Sequence, residues 1–130
     1  MNTWAMPQSG SEWPRLSVED VVIVELTPTQ GSEQRETRPC LVVQNNVGNA
    51  NAPTTIVVPF TTSFGEQLYP FEVLVPAEEC ALREDSVALC SQVRTVSIEH
   101  RITENIGSIP QERMDEVDTA LEYSLGLTEV

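Results

Sequence analysis

Several short runs crowded with Val, Ile and Thr, followed by one segment with helical periodicity, confine this chain to few folds. β-Branched side chains are stiff and pack well on a pleated surface. On that ground "VVIVELT" (21–27), "CLVVQN" (40–45), "TTIVVPFTT" (54–62) and "SVALCSQVRTV" (86–96) read as strands, the last long enough to be central. "YPFEVLVPA" (69–77) alternates Phe71, Val73 and Val75 on one face, and "RITENIGSI" (101–109) reads as a short final strand. Pro59 marks a bulge or an edge position in its strand. "NVGNANAP" (46–53) is turn-forming and reads as a loop.

The period changes in "SIPQERMDEVDTALEYSLGL" (108–127), where Met114, Val117, Leu121 and Leu125 fall at helical spacing. Ser108 and Gln111 are spaced as a capping box, and Gly126 stands where such a helix would stop. Five or six strands followed by one amphipathic helix predict a small curled antiparallel sheet with the helix over its open side. Residues 1–17 show no periodicity and read as a flexible arm, in which Trp4 and Trp13 pack on the body or mark a contact surface. The remaining residues, 18–130, then form one domain, ample for a core at a total of 130 residues.

The chain carries 20 acidic residues against 7 basic ones, a net charge of −13, and every basic residue is arginine. Such a surface repels itself unless salt screens it, and the Debye length shrinks to about 3 Å at 1 M salt. An acidic, lysine-free composition therefore predicts a salt-loaded cytoplasm. Three cysteines, Cys40, Cys80 and Cys90, with one histidine, His100, support neither a disulfide framework nor a zinc site. Cys40 and Cys90 lie in apolar runs and read as core residues, and His100 as surface. The N-terminus lacks the basic and apolar regions of a signal peptide, and no apolar run approaches a membrane span. A soluble, cytoplasmic chain is expected, with no membrane partner. The acidic helix residues Glu112, Asp115, Glu116 and Asp118 read as solvated surface, not as a metal site.

One connection is longer than a hairpin needs. "PTQGSEQRETRP" (28–39) joins the first two strands and carries Glu33, Gln34, Arg35, Glu36 and Arg38. Taken alone, Arg38 and Glu33 read as loop charges paired with each other. Taken in order, "DVVIVELTPTQGSEQRETRP", "LVVQN", "VVPFTT", "YPFEV", "SVALCSQVRTV" and "MDEVDTALEYSLGL" resemble the MazF/PemK family of toxin endoribonucleases (mRNA interferases) over residues 19–127. The resemblance implies an SH3-like small antiparallel β-barrel with a C-terminal helix, assembled as a homodimer. It implies sequence-specific cleavage of single-stranded RNA without a metal or other cofactor, restrained by a cognate antitoxin. The long loop is then the active-site flap.

Metal-free RNA cleavage uses the ribose 2′-OH as nucleophile, so the site must handle its proton and stabilise a crowded phosphorane. Arg38 matches the family's catalytic arginine. Its planar fork suits phosphate, but its pKa excludes general-base work. Thr61 matches the catalytic threonine, positioned to hold the scissile phosphate. Glu33 is the candidate proton acceptor, and Gln34, Arg35, Gln92 and Arg94 are candidates for positioning RNA. The chain departs from the family pattern at Glu19, where a glycine is usual, and at Ser91, where an acidic residue is common. Two alternatives remain: a binding module that has lost catalysis, and a gyrase-poisoning relative. The ending "GLTEV" lacks the tryptophan-bearing tail expected of the latter.

Overall fold

The computed structural model describes residues 15–26 and 36–130. The candidates Glu33, Gln34 and Arg35, and residues 1–14 of the arm, lie outside them. Seven strands follow in chain order: β1 (Asp20–Glu25), β2 (Thr37–Val42), β3 (Thr54–Thr61), β4 (Glu72–Val75), β5 (Ser86–Leu89), β6 (Arg94–Ser97) and β7 (Ile102–Ser108). Three helices accompany them: α1 (Asn46–Asn51), α2 (Ile98–Arg101) and α3 (Gln111–Ser124).

The strands pair antiparallel in the order β4-β5-β3-β2-β1-β7, with β6 also on β3. The expected antiparallel sheet and C-terminal helix are both present, but the sheet does not close into a barrel. Near the gap the segment through Ala81 packs on β7 instead, so closely that a Cβ on Gly107 would lie 3.3 Å from that of Ala81.

Strand alternation divides the interior in two. Val21, Leu41, Val58, Phe60, Val73 and Ala88 face one cluster, which α3 covers with Met114, Val117 and Ala120. Val22, Val24, Cys40, Val42, Val57 and Val96 face the other, joined by Ile98, Ile102 and Leu16. Because the side-chain period of a strand is 2, the neighbours Cys40 and Leu41 necessarily serve opposite clusters. Leu16, within the arm as read from sequence, is buried there.

Several local expectations change. "NVGNANAP" contains the short helix α1, because the Asn45 side chain accepts from the Gly48 N–H at 2.8 Å and caps it. The buried Asn49 then locks α1 to the sheet: its Oδ1 accepts from Thr55 Oγ1 (2.7 Å) and Gln44 Nε2 (3.1 Å). The capping box does not form, since Ser108 stays in β7 and α3 starts after Pro110 without a side-chain cap. Gly126 ends α3 as expected, at φ 72°. Leu125 is 60% exposed, and Ala120 takes its place among the buried helix residues. Arg113 ties α3 to Glu79 through two bonds of 2.8 and 3.0 Å, and this hydrogen bonding holds the Glu79 carboxyl below its usual range.

The run "SVALCSQVRTV" is not one strand but β5 and β6, separated by a turn, and both lie against β3. Pro59 explains the break. Ile56 O accepts from Val43 N–H, so Ile56 and Val58 turn their backbone groups toward β2, while Val57 and Pro59 turn theirs toward β5 and β6. Pro59 has no N–H to give, and the chain of β5 and β6 leaves the ladder opposite it.

Glu19 sits at φ 85°, a conformation that costs an L-residue roughly 1–2 kcal/mol. It is held there because its N–H donates to Val42 O and its carbonyl accepts from Ile109 N–H, both at 3.0 Å. Glu19→Gly should therefore raise stability by about 1 kcal/mol. Urea midpoints of the two proteins measure this, and an unchanged or lower midpoint would show that the conformation carries no strain.

Candidate functional site

The β2–β3 register pairs Val42 with Val57, Leu41 with Val58 and Cys40 with Pro59. Continued by two residues, it brings Arg38 opposite Thr61. The ladder stops before that point because Pro39, whose missing N–H is the one that would face β3, offers no donor. Two strand ends thus part beyond the last bridge, Cys40 to Pro59. Between them lies a groove of about 220 Å³ lined by Thr37, Arg38, Pro39, Phe60, Thr61, Thr62 and Ser86.

Arg38 also lines a second depression, of about 270 Å³, with Leu26, Glu36, Cys40, Val57, Pro59, Gln92, Val93 and Arg94. Arg94 pairs with Val57 across β6 and β3. Gln92 lies in the turn opposite Pro59, closed by its own N–H to Leu89 O at 3.0 Å. Four of the residues expected from sequence, Arg38, Thr61, Gln92 and Arg94, therefore line two grooves that meet at Arg38.

Arg38 is paired with a loop carboxylate. Its Nη2 lies 2.7 Å from Glu36 Oε1, with the side chains 36% and 49% exposed. Glu36 is itself pinned where the long loop rejoins the sheet, its carbonyl accepting from the Leu26 N–H. An exposed pair of this kind contributes at most about 1 kcal/mol and yields readily to a competing anion. Thr61 Oγ1 accepts from the Ser63 N–H at 3.1 Å and donates to Ser63 O at 3.3 Å, which fixes its orientation at the strand end.

Beneath the second depression lies Cys40, fully buried. Burial pushes its thiol up to about 12, against the opposing pull of the Arg38 and Arg94 guanidiniums. Both arginines therefore act on one point of the groove floor. Sequence reasoning missed Glu36, although it stands two residues before Arg38 in the loop. It also gave no sign of the groove itself, whose signal was the pair of strand prolines.

The thiols give a direct check on this arrangement. Burial likewise pushes the Cys90 thiol to about 12, and also raises half-buried Cys80. At pH 8 only about one Cys40 or Cys90 in 10⁴ is thiolate, the reactive form. A disulfide reagent should modify Cys80 first, and Cys40 and Cys90 only at the rate of unfolding. Modification of Cys40 in the folded protein at the rate of a free thiol would mean that the arginines outweigh burial.

Similar proteins bear on this geometry. The profile of the PemK-like, MazF-like toxins of type II toxin-antitoxin systems matches residues 18–125. An endoribonuclease, EndoA, of Bacillus subtilis is 41% identical over 108 residues, covering 83% of this chain and 92% of the relative. The endoribonuclease MazF of Staphylococcus epidermidis is 39% identical over 108 residues, covering 83% and 89%. The MazE-MazF structure from Deinococcus radiodurans superposes with a TM-score of 0.72 at 26% identity, over 88% of this chain and 99% of that one. With a match spanning strands, grooves and closing helix alike, the chain belongs to the PemK-like, MazF-like toxin family.

Proposed function

We propose that this protein is the endoribonuclease toxin of a type II toxin-antitoxin system, cleaving single-stranded RNA at specific short sequences without a metal. The observation that carries the reading is Arg38 opposite Thr61 at the parted ends of β2 and β3, in a chain that belongs to this family. The two relatives named endoribonucleases support the reaction class.

Cleavage proceeds by attack of the ribose 2′-oxygen on the adjacent phosphorus. The 2′-O–P bond forms, the P–5′-O bond breaks, and the products end in a 2′,3′-cyclic phosphate and a 5′-hydroxyl. Arg38 exchanges Glu36 for the scissile phosphate and stabilises the charge that builds on its oxygens. It also serves as proton donor to the departing 5′-oxygen. Thr61 donates a hydrogen bond to the phosphate and holds it in line. Glu33 is assigned the 2′-OH proton. Gln34, Arg35, Gln92 and Arg94 position the flanking nucleotides.

The active protein is a homodimer restrained by a cognate antitoxin. Residues 18–130 are its toxin domain and residues 1–17 a preceding arm. Its acidic, lysine-free composition supports a cytoplasm rich in salt as its working medium. Among the described residues no helix is long and apolar enough to cross a membrane.

The test is cleavage of a long mixed-sequence RNA in molar KCl with EDTA. Wild type should yield discrete fragments ending in 2′,3′-cyclic phosphate. Arg38→Ala should lower kcat about 10²- to 10³-fold, and Thr61→Val about tenfold or more, each with an unchanged circular dichroism spectrum. Undiminished cleavage by Arg38→Ala would overturn the assignment. RNA binding without cleavage by wild type, with and without chelator and at low salt, would favour the binding module.

A further inference from the structure

Aromatic side chains usually fill cores, where their large apolar area is best used. This chain is only 5% aromatic. It nevertheless places Phe64, Tyr69 and Phe71 in the single connection between β3 and β4, directly after Thr61. Phe64 is 41% and Tyr69 65% exposed. Neither Tyr69 nor Phe71 belongs to the two core clusters.

Tyr69 and Phe71 stack on each other, with ring planes 3° apart and centroids 5.2 Å apart, the offset arrangement that aromatic rings favour. The backbone holds them rigidly. Tyr69 N–H donates to Glu72 Oε1 at 2.8 Å, and Glu72 N–H returns a bond to Tyr69 O at 2.9 Å. Phe71 O accepts from Cys90 N–H at 3.0 Å, which joins the stack to the turn carrying Gln92. The connection thus leaves from Thr61 at one groove and returns to the sheet at Cys90, two residues before Gln92. Phe71 backs one face of the Tyr69 ring, and Tyr69 remains 65% exposed.

We propose that Tyr69, backed by Phe71, is a stacking platform for one base of bound single-stranded RNA. The proposal rests on the RNA-binding part of the function proposed above. A net charge of −13 deprives the protein of most of the counterion-release affinity that basic proteins use. Stacking is indifferent to that charge, tolerates salt and accepts any base, because every base has a π-face. Rigid anchoring lowers the ordering cost of capturing a flexible strand.

The experiment uses 2′-O-methyl RNA, which lacks the nucleophile and so binds without being cut. Oligonucleotides of mixed sequence carrying 2-aminopurine at successive positions are titrated into wild type, Tyr69→Leu and Tyr69→Trp in molar KCl. Wild type should quench 2-aminopurine at one or two positions. Tyr69→Leu should abolish that quenching and weaken binding about tenfold or more, while Tyr69→Trp retains both. Equal quenching and affinity for wild type and Tyr69→Leu would overturn the platform, whether or not the protein cleaves natural RNA. Cleavage of unmodified RNA by wild type, scored separately, bears on the ribonuclease reading alone. A loss of self-association by Tyr69→Leu on sedimentation, with RNA quenching intact, would assign the stack to contact between copies and likewise overturn the platform.

Discussion

Two backbone donors that do not exist organise this molecule. A sheet strand offers one N–H per residue, alternately to each side, and a proline in the ladder leaves one partner unserved. Pro39 withholds its donor on the side of β3, and Pro59 withholds its own on the side of β5 and β6. The first omission parts the ends of β2 and β3 and lets Arg38 and Thr61 face each other across a groove. The second splits a long run into β5 and β6 and creates the turn that carries Gln92. A central strand is an unfavourable place for proline. Here the disruption falls where the ladder opens, and β3 still serves β2, β5 and β6 along its length.

Electrostatics then works locally against the background. Most of the −13 charge lies on the exterior, where α3 displays Glu112, Asp115, Glu116 and Asp118 to solvent. Within the grooves the balance reverses, because Arg38 and Arg94 both act on the buried Cys40 thiol, with Glu36 opposing them. A single carboxylate 2.7 Å from Arg38 keeps that cation neutralised at the surface. Salt weakens such an exposed pair as it weakens the general repulsion.

Strand identity was legible because Val, Ile and Thr dominate the runs, and β1 to β3 bury neighbouring residues on both faces, which is why those runs are nearly continuously apolar. The helix was legible from its period, but its start was not. A sequence cannot show that Ser108 remains bound in β7 and so is withheld from capping α3. The short helix α1 hid for a related reason, since Asn and Gly favour turns until a cap and a buried amide network select a helix. Closure of the sheet into a barrel was expected from family resemblance, but β4 and β7 stay unpaired with each other and Ala81 packs against Gly107 instead, which no periodicity encodes. Of the groove-lining residues, Arg38, Thr61, Gln92 and Arg94 were singled out from ordered motifs, and the grooves themselves were not legible. Glu19 was visible only as a departure from a usual glycine; its φ of 85° gives that departure a physical meaning.

The opened ladder also separates the groove-lining residues from the packed interior. Arg38 and Thr61 lie beyond the last β2–β3 bridge, and Tyr69 lies outside both clusters, so none of the three supports the packed interior. Cys40 and Val57, one layer beneath, belong to the second cluster and to the groove wall at once. Changes in that layer shift the floor on which the guanidiniums act, because close-packed interiors transmit small displacements. The boundary between residues that only line the grooves and residues that hold the fold therefore runs through β2 itself, between Arg38 and Cys40, with Pro39 as the residue that divides them.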